Sequence, residues 1–285
     1  MAVVNTNVGA SVAQAALVKN SRELGSAMEQ LSTGKKINSA GDNASGLAIT
    51  NRMTSQINGL GAAIRNANDA VSMINTAEGA LEEITDMLQR MRELAVQSGT
   101  GTTTSSDRTY LQAEFTALRA EIDRIADNTE WNGNTILDHT ANGVSGNVSY
   151  QVGVDGGQTI SVDFGNFTNT SSGTFTTLAT ATIAGASVAT GMANASAAIT
   201  TLDTAIEAVS NQRATFGAAS NRLTHAVDNL TNVKVNAEAS RSRILDTDYA
   251  ESTAELARTQ IIQQAGTAML AQANQLPQTV LALLQ

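Results

Sequence analysis

The stretch from Ser45 to Gln97 constrains this chain most. Its apolar and small residues fall at Met53, Ile57, Leu60, Ile64, Ala67, Val71, Ile74, Ala77, Leu81, Ile84, Leu88, Met91 and Ala95, in steps of four and three that average about 3.5 residues. That spacing is the seam of one long helix that other helices must cover. At ~1.5 Å of rise per residue it would run roughly 80 Å, so the predicted fold class is mainly α: a long antiparallel helical bundle or coiled-coil rod. Composition permits this, because the 285 residues include one proline, Pro277, and only 3% aromatics. Little breaks a helix, and little fills a large pocketed core.

The same period recurs elsewhere. In residues 1–36, Leu17, Leu24 and Leu31 stand seven apart with Val8, Val12 and Met28 near the same side, while Asn5, Asn7, Asn20 and Ser21 fill other faces. Ordering this segment costs about 1–2 kcal/mol per residue in backbone entropy. Each of its few large apolar side chains returns only about 1.5–3 kcal/mol, so the helix needs a partner. A third helix over 107–127 carries Leu111, Phe115, Leu118, Ile122 and Ile125, and is expected to fold back on the long one across the Ser98–Ser106 loop. Ile199, Leu202, Ile206, Val209, Phe216, Leu223, Val227 and Leu230 continue the grid.

Between them the period drops to two. Val148, Tyr150, Val152 and Val154 alternate with polar residues, Asp155-Gly-Gly-Gln158 turns, and Ile160, Val162 and Phe164 alternate again, which predicts a small β-hairpin. Gly165 to Gly191 is uncharged and rich in Thr, Ser, Ala and Gly; a loop or a small strand pair is expected there. Trp131, the only tryptophan, reads as a packing anchor.

Several function classes are disfavoured. The net charge is −9 and no Lys or Arg lies between Arg124 and Arg213, so there is no basic stripe for nucleic acid or an anionic membrane. No apolar run approaches the ~18 residues of a membrane span. The first twenty residues carry no basic n-region and no cleavage pattern, which argues against a cleaved secretory leader. There is no cysteine, hence no disulfide, thiolate metal site or thiol nucleophile. Phosphate-loop, zincin and nucleophile-elbow motifs are lacking, and His139 and His225 stand alone. Asp246 and Asp248 beside Tyr249 fit helix capping or interface pairing better than acid/base chemistry or a cation site. No enzyme activity, cofactor or metal is expected.

One exposed stripe stands out at the end of the long helix. Projected at about 100° per residue, Asp86, Arg90, Glu93, Leu94 and Gln97 share a face turned away from the Leu88/Met91/Ala95 seam. An Asp86–Arg90 pair is expected on it, worth about 0.2–0.5 kcal/mol.

Residues 37–60, INSAGDNASGLAITNRMTSQINGL, and 65–84, RNANDAVSMINTAEGALEEI, closely resemble the N-terminal signature of bacterial flagellins. NQRATFGAASNR at 211–222, ASRSRILDTDY at 239–249 and QQAGTAMLAQANQLPQTVLALLQ at 263–285 resemble the family's C-terminal segment. The likeness covers nearly everything except about residues 165–195. It implies a subunit that polymerises into the hollow, extracellular filament of the bacterial flagellum. It implies an inner-core helix over 1–44 paired with another over 246–285, a rod with two helices and the hairpin over 45–164, a reduced outer loop over 165–192, and a rod helix over 193–245.

Both ends are expected to be disordered in the monomer and to pair when neighbouring subunits bury Leu17, Leu24, Leu31, Ile261, Ile262, Met269 and Leu270. By the resemblance, Gln89, Arg90, Leu94 and Glu114, with Glu93 on the same stripe, form a patch used by the host Toll-like flagellin receptor and by neighbouring subunits. Leu276, Val280, Leu281, Leu283 and Leu284 are expected to form a tail for an export chaperone, with export through the flagellum's type III apparatus. Filament-cap and hook-junction proteins complete the implied partners. The alternative is a hook-filament junction protein, which shares such termini. An enzyme or adhesin on a helical stalk would need an outer domain that Gly165–Gly191 hardly supplies.

Overall fold

The computed structural model describes residues 7–138, 146–168 and 173–282, with side chains described as far as Asn274 and Gln275. The chain divides into two compact units: residues 58–234, and the segments up to Ile57 and from Val235. The elements are α1 (Val8–Thr33), α2 (Ala40–Ser98), α3 (Ser105–Asn128), β1 (Glu130–Trp131), β2 (Asn134–Thr135), β3 (Asn147–Gln151), β4 (Thr159–Asp163), α4 (Thr176–Ala179), α5 (Val188–Leu245) and α6 (Tyr249–Ala282). By these ranges α2 and α5 each contribute to both units.

In the unit of residues 58–234, α2 and α5 run antiparallel, as the ion pairs Arg92–Asp203 at 2.6 Å and Arg213–Glu78 at 3.6 Å require. The predicted seam is the core: Ala67, Ile74, Ala77, Leu81, Ile84, Leu88, Met91 and Ala95 are all 0% exposed. They meet Leu202, Val209, Phe216 and Leu223 of α5 and Phe115, Ile122 and Ala126 of α3. Burial of each large side chain contributes about 1.5–3 kcal/mol.

The turn from α2 into α3 is held from both sides. Thr104 and Asp107 form a capping box, the Asp107 amide donating to Thr104 Oγ1 at 3.2 Å and the Thr104 amide to Asp107 Oδ2 at 3.0 Å. Arg108, fully buried, donates from Nε to the Ser98 carbonyl and from Nη2 to the Thr100 carbonyl, both at 2.9 Å. A cation there satisfies the orphan carbonyls at the α2 C-terminus and opposes its dipole. Gly191 makes room for it: a Cβ at that position would lie 2.7 Å from Arg108 Cδ.

The hairpin is as expected. β3 pairs antiparallel with β4 in the register Val148↔Val162 and Tyr150↔Ile160. It packs against α2, with Asn66 donating to the Gln151 carbonyl at 3.1 Å and the Tyr150 hydroxyl donating to Met73 Sδ at 2.7 Å. Burial pushes the Tyr150 phenol up to about 12. A second, shorter hairpin pairs Trp131 with Asn134 around Asn132 and Gly133, whose φ values of 51° and 78° are both positive. That is the geometry of a type I′ turn.

The Thr/Ser-rich connection is neither a free loop nor a strand pair in its described residues. Asn166 bridges Asp138, and Phe167, Phe175, Leu178 and Ile183 are buried. Phe167 packs edge-on to Phe175 at 5.7 Å, and Phe164 packs on Phe216 at 5.3 Å. Gln112 Oε1 of α3 accepts the amides of Ile183 and Ala184 at 2.7 and 3.2 Å. Widely spaced apolar residues anchor a polar segment along its length.

The other unit is the pair α1·α6 with the start of α2 and the end of α5. α1 ends at Gly34, whose φ of 69° suits the left-handed cap position. The chain is then clasped: the Lys36 amide donates to the Leu245 carbonyl at 2.7 Å, and the Thr247 amide to the Gly34 carbonyl at 3.1 Å. Asn43 breaks the helical geometry of α2 (φ −163°, ψ 97°), and its side chain caps the helix that follows by accepting the Gly46 amide at 2.8 Å. Asp248 Oδ1 accepts the Ala250 amide at 2.9 Å at the start of α6, the capping role expected of it.

Candidate assembly surfaces

The stripe at the end of α2 is built around Arg90. Its Nε and Nη2 donate to Glu114 Oε1 on α3 at 3.0 and 2.9 Å, and its Nη1 donates to Glu93 Oε2 at 2.9 Å. The expected Asp86 pairing is replaced by these two carboxylates. Glu114, and then Glu93, hold the guanidinium's pKa above its ordinary value. Gln89, Arg90, Glu93 and Glu114 are exposed and adjacent.

Leu94 does not belong with them. It is 1% exposed and part of the core, which corrects its assignment to the outward stripe. The cause is a second heptad line on α2, Met73, Ala80, Met87 and Leu94, whose members are buried or half-buried. Because α2 is covered by α3, α5 and β structure together, its buried arc is wider than a single seam. Next to the stripe, Gln89, Arg92, Glu93, Val96 and Gln97 line a shallow groove, and Val96 is 53% exposed.

On the other unit the seven residues expected at the inner-core interface separate into two sets. Leu17, Leu24, Leu31 and Leu270 are half-buried, whereas Ile261, Ile262 and Met269 are exposed. Val8, Val12, Val18 and Met28 of α1 are exposed as well.

Polar and small residues occupy the buried positions of this pair. Asn20 is 4% exposed and donates Nδ2 to the Thr259 carbonyl at 2.8 Å. This corrects its placement on a face other than the leucine side. Thr259 and Ser252 are buried too, and Asn7 Nδ2 donates to the Ala273 carbonyl at 2.7 Å. A heptad read from leucines alone could not show which polar residues enter the seam, and only a buried-Asn reading of Asn20 would have found it.

Leu276, Val280 and Leu281 lie on α6 with side chains outside the described residues, and Leu283 and Leu284 lie outside them altogether. His139 is also outside them. Among the described residues no cluster of His, Asp and Glu could hold a metal ion, and no helix is long and apolar enough to cross a membrane. These surfaces present apolar side chains without cover and a charged stripe.

Comparison with known proteins bears on the family. Residues 4–142 match the model of the bacterial flagellin N-terminal helical region, and residues 199–284 match that of the bacterial flagellin C-terminal helical region. A flagellin of Halalkalibacterium halodurans is 44% identical over 283 residues, covering 99% of this chain and all of the relative. Flagellin A of Vibrio anguillarum is 36% identical over 379 aligned positions, covering 99% of each protein. That aligned length exceeds the 285 residues here, so this chain is the shorter form. A putative flagellar hook-associated protein of Vibrio parahaemolyticus shares the fold at 14% identity, with a TM-score of 0.58 over 72% of this chain and all of the other.

Proposed function

Because this chain belongs to the bacterial flagellin family, as a structural, non-enzymatic subunit of the extracellular flagellar filament, we propose that its polymerisation is driven by covering the apolar residues left bare on the α1·α6 pair. The observation that carries this reading is the exposure of Val12, Ile261 and Met269, at 64, 67 and 64%. Three large apolar side chains left in water on a pair with so little buried core are surface waiting for another copy. Contacts between unlike patches that do not close on themselves build an open helical polymer.

In this reading residues 1–44 and 246–285 form the inner layer of the tube, residues 45–164 and 193–245 the surrounding wall, and 165–192 the reduced outer segment. Both ends are disordered in the free subunit and order on incorporation. Seeded growth of the purified chain, followed by negative-stain microscopy, tests this directly. The full chain should extend seeds, and a variant lacking residues 1–36 and 250–285 should not. An intact chain that leaves seeds unextended would contradict this reading of the α1·α6 pair.

The exposed group Gln89, Arg90, Glu93 and Glu114 serves as contact surface for neighbouring subunits and for a host Toll-like receptor, with Leu94 supporting it from below. Its support is geometric: two helices present a preformed charged cluster. Arg90→Ala should lower receptor activation by the free subunit while leaving its unfolding transition in place. The C-terminal tail with Leu276, Val280, Leu281, Leu283 and Leu284 is assigned to the export chaperone. Chaperone capture undiminished by deletion of 270–285 would contradict this. Cap and hook-junction proteins are the remaining proposed partners, met at the two filament ends.

A further inference from the structure

The α1·α6 seam repeats. Along α6, small residues recur every seven positions at Ser252, Thr259, Gly266 and Ala273; along α1, Leu17, Leu24 and Leu31 do so beside Ala13, Asn20 and Ala27. Such a seam looks nearly the same to its partner after a displacement of one heptad, about 10.5 Å along the axis, or of one turn, about 5.4 Å. Its apolar contacts alone therefore leave several registers close in energy.

Beyond the backbone clasp at its end, where the Lys36 amide meets the Leu245 carbonyl and the Thr247 amide the Gly34 carbonyl, two side-chain contacts within the seam break that degeneracy. Leu17 sits in a notch at Gly266: a Cβ on that residue would lie 2.8 Å from Leu17 Cδ2 and 3.1 Å from its Cγ. Gly266 is the sole glycine of α6. Displacement by three, four or seven residues places Gln263, Met269, Ile262, Leu270, Thr259 or Ala273 under Leu17, each with the Cβ that the notch lacks. One turn further along α1, Asn20 donates Nδ2 to the Thr259 carbonyl, and its Oδ1 is buried without a partner. A buried amide with half its hydrogen bonding unmet costs stability. Displacement by three or four residues sets Leu256, Ile262, Glu255 or Gln263 opposite Asn20, whereas one by seven sets Ser252 or Gly266 there, so Asn20 disfavours one-turn displacements and the Leu17 notch must disfavour the heptad ones.

We propose that Leu17 in the Gly266 notch and Asn20 on the Thr259 carbonyl form a two-point key that fixes the register of α1 against α6. The key sets the relative heights at which Val12, on one helix, and Ile261 and Met269, on the other, are offered to a neighbouring copy. This consequence rests on the polymerisation reading above; the key itself does not.

Disulfide reporters test it, since the full chain contains no cysteine and only an engineered pair can respond. Asn7→Cys with Ala273→Cys probes the observed register, where the Asn7 amide lies 2.7 Å from the Ala273 carbonyl. Asn7→Cys with Met269→Cys probes a register one turn away. Both pairs are oxidised in the free chain and in seed-grown filaments. The first should predominate by roughly tenfold in at least one state, because a disulfide needs Cα atoms within about 7 Å.

Gly266→Leu should erase that preference and stop seed extension. Adding Leu17→Ala, which moves the bulk from one helix to the other, should restore both. Asn20→Val should keep helix content while raising the yield of the displaced pair. Equal yields from the two reporters in the parent chain would overturn the key. So would a Gly266→Leu chain that keeps the preference, or a double variant that regains neither register nor growth. A parent that crosslinks in register yet fails to extend seeds leaves the key standing and removes the polymerisation reading.

Discussion

Residues 58–234 and the paired ends draw on the same heptad spacing and use it to opposite effect. In the first, the heptad positions hold Ile74, Leu81, Leu88, Leu202, Val209, Phe216 and Leu223, all 0% exposed, with a third helix and a hairpin closing over them. In the second, among the described residues, the buried apolar side chains are Ala27, Ile37 and Ile57, and Asn20, Thr50, Ser252 and Thr259 are buried as well. Large side chains in a seam covered on several sides make a unit that holds itself together. Small and polar ones in a seam covered on one side leave Ile261 and Met269 in water, and this is the unit that we propose another copy completes.

The largest effect should come from the self-sufficient unit. Phe216→Ala removes a fully buried ring packed on Phe164, and large-to-small changes of this kind cost about 3–5 kcal/mol. Urea unfolding of the monomer should register that loss in full. Arg108→Met comes next: it strips two carbonyls, on Ser98 and Thr100, of a buried charged donor, at about 1.5–3 kcal/mol. An unchanged midpoint would show that water replaces the guanidinium there.

Ile261→Ala should divide the two units cleanly. The monomer midpoint should move by less than about 0.5 kcal/mol, as for an exposed site, while the critical concentration for seeded growth rises severalfold. If the monomer is destabilised as much as the filament, the contrast between the units fails.

The smallest effects are titrations. Tyr150 should ionise at about 12, against an ordinary 10.0 for an exposed phenol. Since its folded value is raised, its contribution is complete below the ordinary phenol range and is lost as the pH climbs through the folded value; spectrophotometric titration reads this directly. Asp107 runs the other way. Hydrogen bonds from the Thr104 side chain and amide hold its carboxyl below its ordinary 3.8. Its capping contribution is therefore present above that value and fades as the pH falls through the lower folded one. Asp107→Asn should remove that acid-limb dependence.

Much of the self-sufficient unit was legible because large apolar residues recur at one spacing. The α2 seam from Ala67 to Ala95, the α3 face around Phe115 and Ile122, and the hairpin at Val148–Val162 are read directly from period. Leu94 was misplaced because one seam was projected where two heptad lines run side by side. The short hairpin at Asn132-Gly133 is not legible from period, since its flanking strands of two residues are too short to show alternation. Phe167, Phe175, Leu178 and Ile183 share no period, so the packing of the Thr/Ser-rich connection was not legible. On the paired ends, Leu17, Leu24 and Leu31 were visible. Asn20 was not, since its partner is the main-chain carbonyl of Thr259, which side-chain periodicity does not reveal.

The central claim is that residues 58–234 hold themselves together and the paired ends do not. Amide hydrogen exchange on the free subunit and on the assembled filament, resolved along the chain, tests it most directly. Amides of α1 and α6 should exchange freely in the subunit and become protected in the filament, while those of α2, α3 and α5 within 58–234 are protected in both. Equal protection of α1 and α6 in the free subunit would contradict the account.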